Sequence, residues 1–350
     1  MNEQLRTALG AGLVIPAHPL GLDADGRFDE RSQRALTRYY AAAGAGGLAV
    51  GVHTTQFAIR EPRVGLFEAV LTIAREEMDR ADRGQLLPLV RIGGVVGPTA
   101  QAVSEAGLLT RLGYHAGLLS LAALKDATDD ELIAHCREVS AVIPIVGFYL
   151  QPAVGGRILG YPFWRRFAEI EEVVAIKIAP FNRYQTLDVV RAVIDAGRED
   201  VALYTGNDDS IVADLVTPYR MLVGDAQYER RVVGGLLGHW AVWTERAVGL
   251  LADCQRAARE GHVTTALLRK GMEVTDCNAA IFDAAHQFAG CIAGIQEVLR
   301  RQGLVASART LGGESLSSGQ AAEIDRVCQA YPHLLDDEFV AEHREAWLRP

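Results

Sequence analysis

Short runs of Val, Leu and Ile recur along this chain, separated by stretches of helical period. The runs are LVIPA (13–17), GLAVGV (47–52), LLPLVRI (86–92), AGLLSL (116–121), PIVGFYL (144–150), VVAIKI (173–178) and VALYTG (201–206). Each is too short for a free helix and too continuous for a half-exposed strand, which is how strands buried on both faces look. Amphipathic segments at 30–44, 62–81, 129–142 and 184–197 lie between them. Acidic or proline residues open the first two, and glycine closes two of the four, as expected of helix starts and stops. The alternation predicts βα units and a parallel sheet.

Two segments compete for an eighth strand, RMLVGD (220–225) and GLLGHWAV (235–242). The second is preferred, leaving 210–234 as an elaborated loop and helix. From 244 onwards the pattern is helical, with TERAVGLLADCQRAAREG and DAAHQFAGCIAGIQEVLRRQG. The expected architecture is therefore α/β, a (β/α)8 TIM barrel over 1–243, with a helical C-terminal extension over 244–350 packed on it as one structural unit. An open doubly wound sheet is the alternative, but the segment after the first strand, HPLGLDADGRFD, has no Gly-rich phosphate turn.

Composition narrows the partners. Apolar residues make up 49% and charged residues 23%, so a long disordered segment is not expected. A net charge of −9 argues against nucleic acid, which needs a concentrated basic face. No apolar run approaches the roughly 20 residues of a membrane span, and the N-terminus lacks a signal pattern. The expectation is a soluble, cytoplasmic protein without a membrane partner. Five cysteines include no C-x-x-C pair, which indicates neither a disulfide framework nor a thiolate zinc site. The nine histidines lack ligand spacing, so no metal is expected, and His239 with Trp240 and Trp243 reads as packing.

In a parallel barrel, chemistry gathers where strands end at the carboxyl face. Lys177 lies near such an end, flanked by Ile176 and Ile178, where folding alone gives a lysine no reason to be. Desolvation there favours the neutral amine, a nucleophile toward carbonyls; the competing reading is a lysine that snorkels to the rim or pairs with a carboxylate. Tyr149 precedes Lys177 by 28 residues, about one βα repeat, so adjacent strand ends are expected to bring the phenol near the amine. A core tyrosine with its hydroxyl satisfied by backbone is the alternative. His53, Thr54 and Thr55 end the second strand, where hydroxyls and turn N–H groups can hold a carboxylate or simply cap a turn. In YTGNDD (204–209), Gly206 allows close backbone approach, and Asn207, Asp208 and Asp209 are polar groups or caps.

Together these pieces resemble the dihydrodipicolinate synthase / N-acetylneuraminate lyase family of class I, Schiff-base-forming lyases. The resemblance runs over about residues 10 to 300: IPAHPLGLDADGRFDE, GVHTTQ, the Y-x-x-P from Tyr149 to Pro152, VVAIKIAP and GNDD. It implies that Lys177 forms the imine, that Tyr149 shuttles protons, and that Thr54 with His53 or Thr55 holds the carboxylate of a small 2-oxo acid such as pyruvate. It also implies that the covalent imine takes the place of a cofactor, and that the protein is a homo-oligomer, a tetramer or dimer.

The departures are equally specific. The family's G-T-T-G-E is V-H-T-T-Q here, and its tyrosine pair after strand four is replaced by SLAALKD (120–126). The arginine expected two residues after the Y-x-x-P proline is Val154, which leaves Arg157 as the substitute for substrate binding. These losses argue against dihydrodipicolinate synthesis itself. An aldolase or lyase through Lys177 is the leading reading. A dehydratase of a sugar-derived 2-oxo acid using the same lysine, or a non-catalytic oxo-acid-binding barrel, are the alternatives.

Overall fold

The computed structural model describes residues 3–349. Helix α1 (Glu3–Ala11) precedes strands β1 (Val14–Pro16), β2 (Gly47–Val50), β3 (Val90–Val95), β4 (Ala116–Leu119), β5 (Ile145–Leu150), β6 (Val173–Ala179) and β7 (Ala202–Thr205). A separate antiparallel pair, β8 (Tyr219–Val223) and β9 (Ala226–Arg230), comes before β10 (Gly234–Leu237). The eight parallel strands run in the order β1-β10-β7-β6-β5-β4-β3-β2, and a parallel bridge from Ala17 to Ala49 joins the two end strands into a barrel. The expected (β/α)8 architecture is therefore present.

Helices α2 (Glu30–Ala42), α3 (Phe67–Ala81), α4 (Thr99–Arg111), α5 (Asp129–Ser140), α6 (Tyr161–Ala168) and α7 (Arg183–Asp195) follow the first six strands. The short α8 (Ile211–Val216) follows β7, and α9 (Thr244–Glu260) follows β10. Local chemistry fixes several starts. Asp29 caps α2 by accepting from Ser32 N, Asn182 caps α7, and Thr128 with Glu131 forms a reciprocal capping box on α5.

Three boundaries differ from expectation. The third strand begins at Val90, and Leu86, within the predicted run, is exposed. It continues through Gly93 and Gly94 to Val95, beyond the predicted run. A Cβ on Gly93 would meet Leu109 at 2.1 Å and one on Gly94 would meet the Gly51 carbonyl at 2.2 Å, so the neighbours leave room only for glycine. The eighth strand stops at Leu237, and Trp240 and Trp243 beyond it are buried packing residues, as read from the sequence. The competing segment RMLVGD lies in the β8–β9 hairpin, outside the barrel, with Gly224 at positive φ (59°) in its two-residue turn.

Two apolar layers result. One joins strands to helices; the other fills the barrel with side chains such as Ile92, Leu118, Val146 and Leu236. Helix α1 plugs the amino end of the barrel: Leu5 and Leu9 are buried, and the Tyr204 hydroxyl donates to Leu9 O at 2.8 Å. Beyond α9, the chain adds α10 (Thr265–Ile281), α11 (Cys291–Arg301), α12 (Gln320–Ala330) and α13 (Asp337–Trp347). Helix α13 packs on α2, and Gln296 of α11 donates to Leu20 O at 2.6 Å, so these helices reach loops at the carboxyl end of the barrel. No helix among the described residues is long and apolar enough to cross a membrane.

Candidate active site

The chemistry gathers around Lys177. Strand β6 places its side chain inside the barrel near the carboxyl mouth, on a cavity enclosing about 640 Å³ including its open entrance. Lysine needs a reason to be here, and the surroundings supply little compensation. Its Nζ stands 4.6 Å from the centre of the Phe148 ring, and among the described residues no ion pair joins it to a carboxylate. Burial therefore lowers the Lys177 pKa well below the ordinary lysine range, opposed by the charge of Asp208 and then by Cys291. Gly206 makes the placement possible: a Cβ there would lie 2.6 Å from Lys177 Cε and 2.7 Å from Ala179 Cβ.

Asp208 is the second ionisable group of the cavity, and the sequence reading left it among polar residues and caps. Burial raises its pKa, opposed by the hydrogen bond it accepts from His239 N at 2.9 Å and by Lys177. A buried ammonium and a buried carboxylate, each shifted toward neutrality and not in direct contact, leave space between them for a reacting molecule.

His53 and Thr54 also line the cavity. Thr54 Oγ1 donates to Ala17 O at 2.8 Å, tying the turn to the end of β1. The first backbone bond of this turn runs from Thr55 N to Val52 O, so the N–H groups of His53 and Thr54 precede the hydrogen-bonded ladder at the cavity edge. Burial, then the nearby Lys177 charge, lowers the His53 pKa to about 4, so its imidazole is neutral at physiological pH.

Other expected site residues face elsewhere. Tyr149 is fully buried between strand and helix, where its ring packs on Trp164 and its hydroxyl accepts from Leu159 N at 3.2 Å. The cause is a register shift. Ile145 pairs with Val173, but Val146 pairs with Ala175, so Phe148 and not Tyr149 ends up beside Lys177. A slip of one residue exchanges the two faces of a strand.

Thr55 is buried behind the turn, donating to His18 O at 2.6 Å and accepting from Gly51 N. Asn207 accepts from Phe181 N at 2.9 Å and donates to Asp214 at 3.0 Å, holding two loops together behind the cavity wall. Arg157 donates to Leu124 O and does not line the cavity.

The remaining wall comes partly from the C-terminal helices, which the sequence reading did not connect with the site. Phe282, Phe288, Cys291 and Ile295 all line it. Phe288 and Phe181 both hold positive φ (67° and 52°), and their rings meet edge to face at 5.7 Å. Bulky residues in the left-handed region are rare and persist where surroundings over-determine them. No periodic pattern signals such positions.

No family model matches the chain. It is 28% identical over 201 residues to the 4-hydroxy-tetrahydrodipicolinate synthase of Bifidobacterium longum, an alignment covering 56% of this chain and 60% of that protein. This partial match is a resemblance to the dihydrodipicolinate synthase / N-acetylneuraminate lyase family, and the chain spans less than two thirds of that relative's length. The fold of the chain agrees with solved structures. The dihydrodipicolinate synthase of Oceanobacillus iheyensis superposes with a TM-score of 0.71 at 14% identity, covering 94% of this chain and 99% of that one. A prophage protein of the dihydrodipicolinic acid synthase family from E. coli K12, solved in complex with pyruvate, gives 0.70 at 16% identity, covering 90% and 97%.

Proposed function

We propose that the protein is a Schiff-base-forming lyase or aldolase acting on pyruvate or a related small 2-oxo acid through Lys177. The observation that carries this reading is a desolvated amine at the carboxyl mouth of a (β/α)8 barrel, in an apolar cavity, with a buried carboxylate nearby. Kinship with a 4-hydroxy-tetrahydrodipicolinate synthase and likeness to a barrel crystallised with pyruvate support it.

In this mechanism the neutral Lys177 amine attacks the keto carbon, and loss of water leaves an iminium. Asp208, starting protonated, gives its proton to the carbonyl oxygen, takes one back from the attacking nitrogen and gives that to the departing hydroxyl, which leaves as water, a role that a carboxyl with a raised pKa suits. The oxo-acid carboxylate lies against the turn at His53 and Thr54. The iminium then accepts the electron pair released when a C3 proton leaves or the C3–C4 bond breaks, giving an enamine. Tyr149 takes no part, because its hydroxyl is committed to Leu159 on the other side of the strand.

Exchange of the pyruvate methyl protons in D2O tests this without knowledge of the second substrate. The wild-type protein is expected to catalyse exchange followed by proton NMR, and Lys177→Met, a near-isosteric apolar replacement, is expected to abolish it. A folded wild-type protein that exchanges neither pyruvate nor longer 2-oxo acids would contradict the proposal.

A further inference from the structure

Few of the side chains that line the cavity are polar. Lys177, Asp208, His53 and Thr54 cluster where the oxo-acid head would sit. The rest of the lining is mostly apolar, with Phe181, Phe282, Phe288 and Ile295 in it, and among the described residues its other polar side chains are Gln151 and the Cys291 thiol. Phe148 extends the apolar surface beside the amine, in the position where the sequence had suggested a phenol.

A polyhydroxylated chain needs a donor or acceptor for each hydroxyl it buries, since an unpaired buried polar group loses its hydration without replacement. Beyond the groups that meet the oxo-acid head, the Gln151 amide and a thiol supply few. An aromatic group, by contrast, can set its edge or face against the Phe181 and Phe288 rings. Those two rings are held by specific backbone contacts: Phe181 N donates to Asn207 Oδ1 at 2.9 Å, and Phe288 N donates to Asp283 O at 3.0 Å. The left-handed backbone at both positions is thus fixed from behind, and its product is an aromatic wall over the cavity.

We infer that the carbon chain beyond C3 of the substrate ends in an aromatic group, so that the cleavage reaction releases an aromatic aldehyde and pyruvate. This rests on the imine-forming reading of Lys177 and adds the substrate class. The C2 ketone of a 4-aryl-4-hydroxy-2-oxobutanoate condenses with Lys177 and loses water. The C4 hydroxyl gives its proton to Asp208, the C3–C4 bond breaks, and its electron pair passes through C3 and C2 to the iminium nitrogen. The aryl aldehyde departs, the enamine is protonated at C3, and water hydrolyses the iminium to pyruvate and free Lys177. The water lost on condensation is regained on hydrolysis, and no redox partner is required.

The test compares 4-hydroxy-2-oxo-4-phenylbutanoate with 2-oxo-3-deoxygluconate, both of which release pyruvate on cleavage. Pyruvate release coupled to lactate dehydrogenase is expected to give a kcat/KM about tenfold or more higher for the phenyl compound. Phe288→Asn, which suits the left-handed backbone but removes the ring, is expected to lower that ratio about tenfold. Equal or inverted preference in a protein that still exchanges pyruvate protons overturns the substrate class and leaves the imine reading standing. Failure of exchange overturns both.

Discussion

At the residue scale the account depends on two ionisable groups that are both displaced from their ordinary values. Only the neutral amine of Lys177 can attack a carbonyl. Its lowered pKa means that the neutral fraction grows as pH rises through a value below the unperturbed lysine value of about 10.4. The pH profile of pyruvate trapping should therefore rise with an inflection below that value. Asp208 opposes the shift, because its negative charge favours the ammonium. Asp208→Asn should move the inflection to still lower pH while slowing the maximal rate by about a hundredfold or more, the range for loss of a positioned acid/base. Rapid-quench trapping across pH measures both effects, and an inflection that moves upward would contradict the arrangement.

Tyr149 gives the opposite expectation. Tyr149→Phe should leave trapping at Lys177 close to wild type, while the buried Leu159 N–H loses its acceptor at a cost of about 1–3 kcal/mol. Urea denaturation reads the stability loss. A collapse of the trapping rate without loss of stability would instead restore the phenol to the site.

At the scale of elements, the sequence located Lys177 by one strong signal, a lysine inside an apolar strand. That signal is legible because burying an ammonium has no folding rationale. The partner across the strand was not legible. A spacing of 28 residues places Tyr149 opposite Lys177 only when both strands run without interruption, and the shift between Ile145 and Val146 moves the register by one. Nothing in PIVGFYL or VVAIKI marks the shift.

Gly206 was legible as a site of close approach, and the structure supplies what approaches: the Lys177 stem. Gly206→Ala should therefore displace the amine and reduce imine trapping strongly, with circular dichroism unchanged; unaltered trapping would contradict the close contact. Asn207 supports Phe181 from behind the wall, a role that only the fold reveals. Asp208, its neighbour, points the other way into the cavity, and within GNDD the sequence alone does not say which acid does so.

At the scale of the whole molecule, the barrel and the helices after residue 260 share one site. Seven strands were legible because fully buried parallel strands leave continuous apolar runs, and the eighth had to be chosen between two segments. The contribution of Phe282, Phe288, Cys291 and Ile295 was not, since helical periodicity reports which face is buried but not against which cavity. One polar tie between barrel and extension is Asp336, which is buried, accepts from the Tyr39 hydroxyl at 2.7 Å and from Glu245 N at 3.1 Å, and receives Gln302 Nε2 at 2.8 Å. Asp336→Ala strands three buried donors, so it should cost about 2 kcal/mol or more in urea unfolding. A midpoint equal to wild type would show that the Asp336 tie adds nothing to the hold on the extension.

The central claim is the covalent bond to Lys177, and borohydride reduction in the presence of pyruvate tests it most directly. Peptide mass spectrometry of the reduced protein should find the Nε-(1-carboxyethyl) adduct, confined to the peptide carrying Lys177 and dependent on pyruvate. An adduct on another lysine, or none from any 2-oxo acid in a folded protein, would contradict the account.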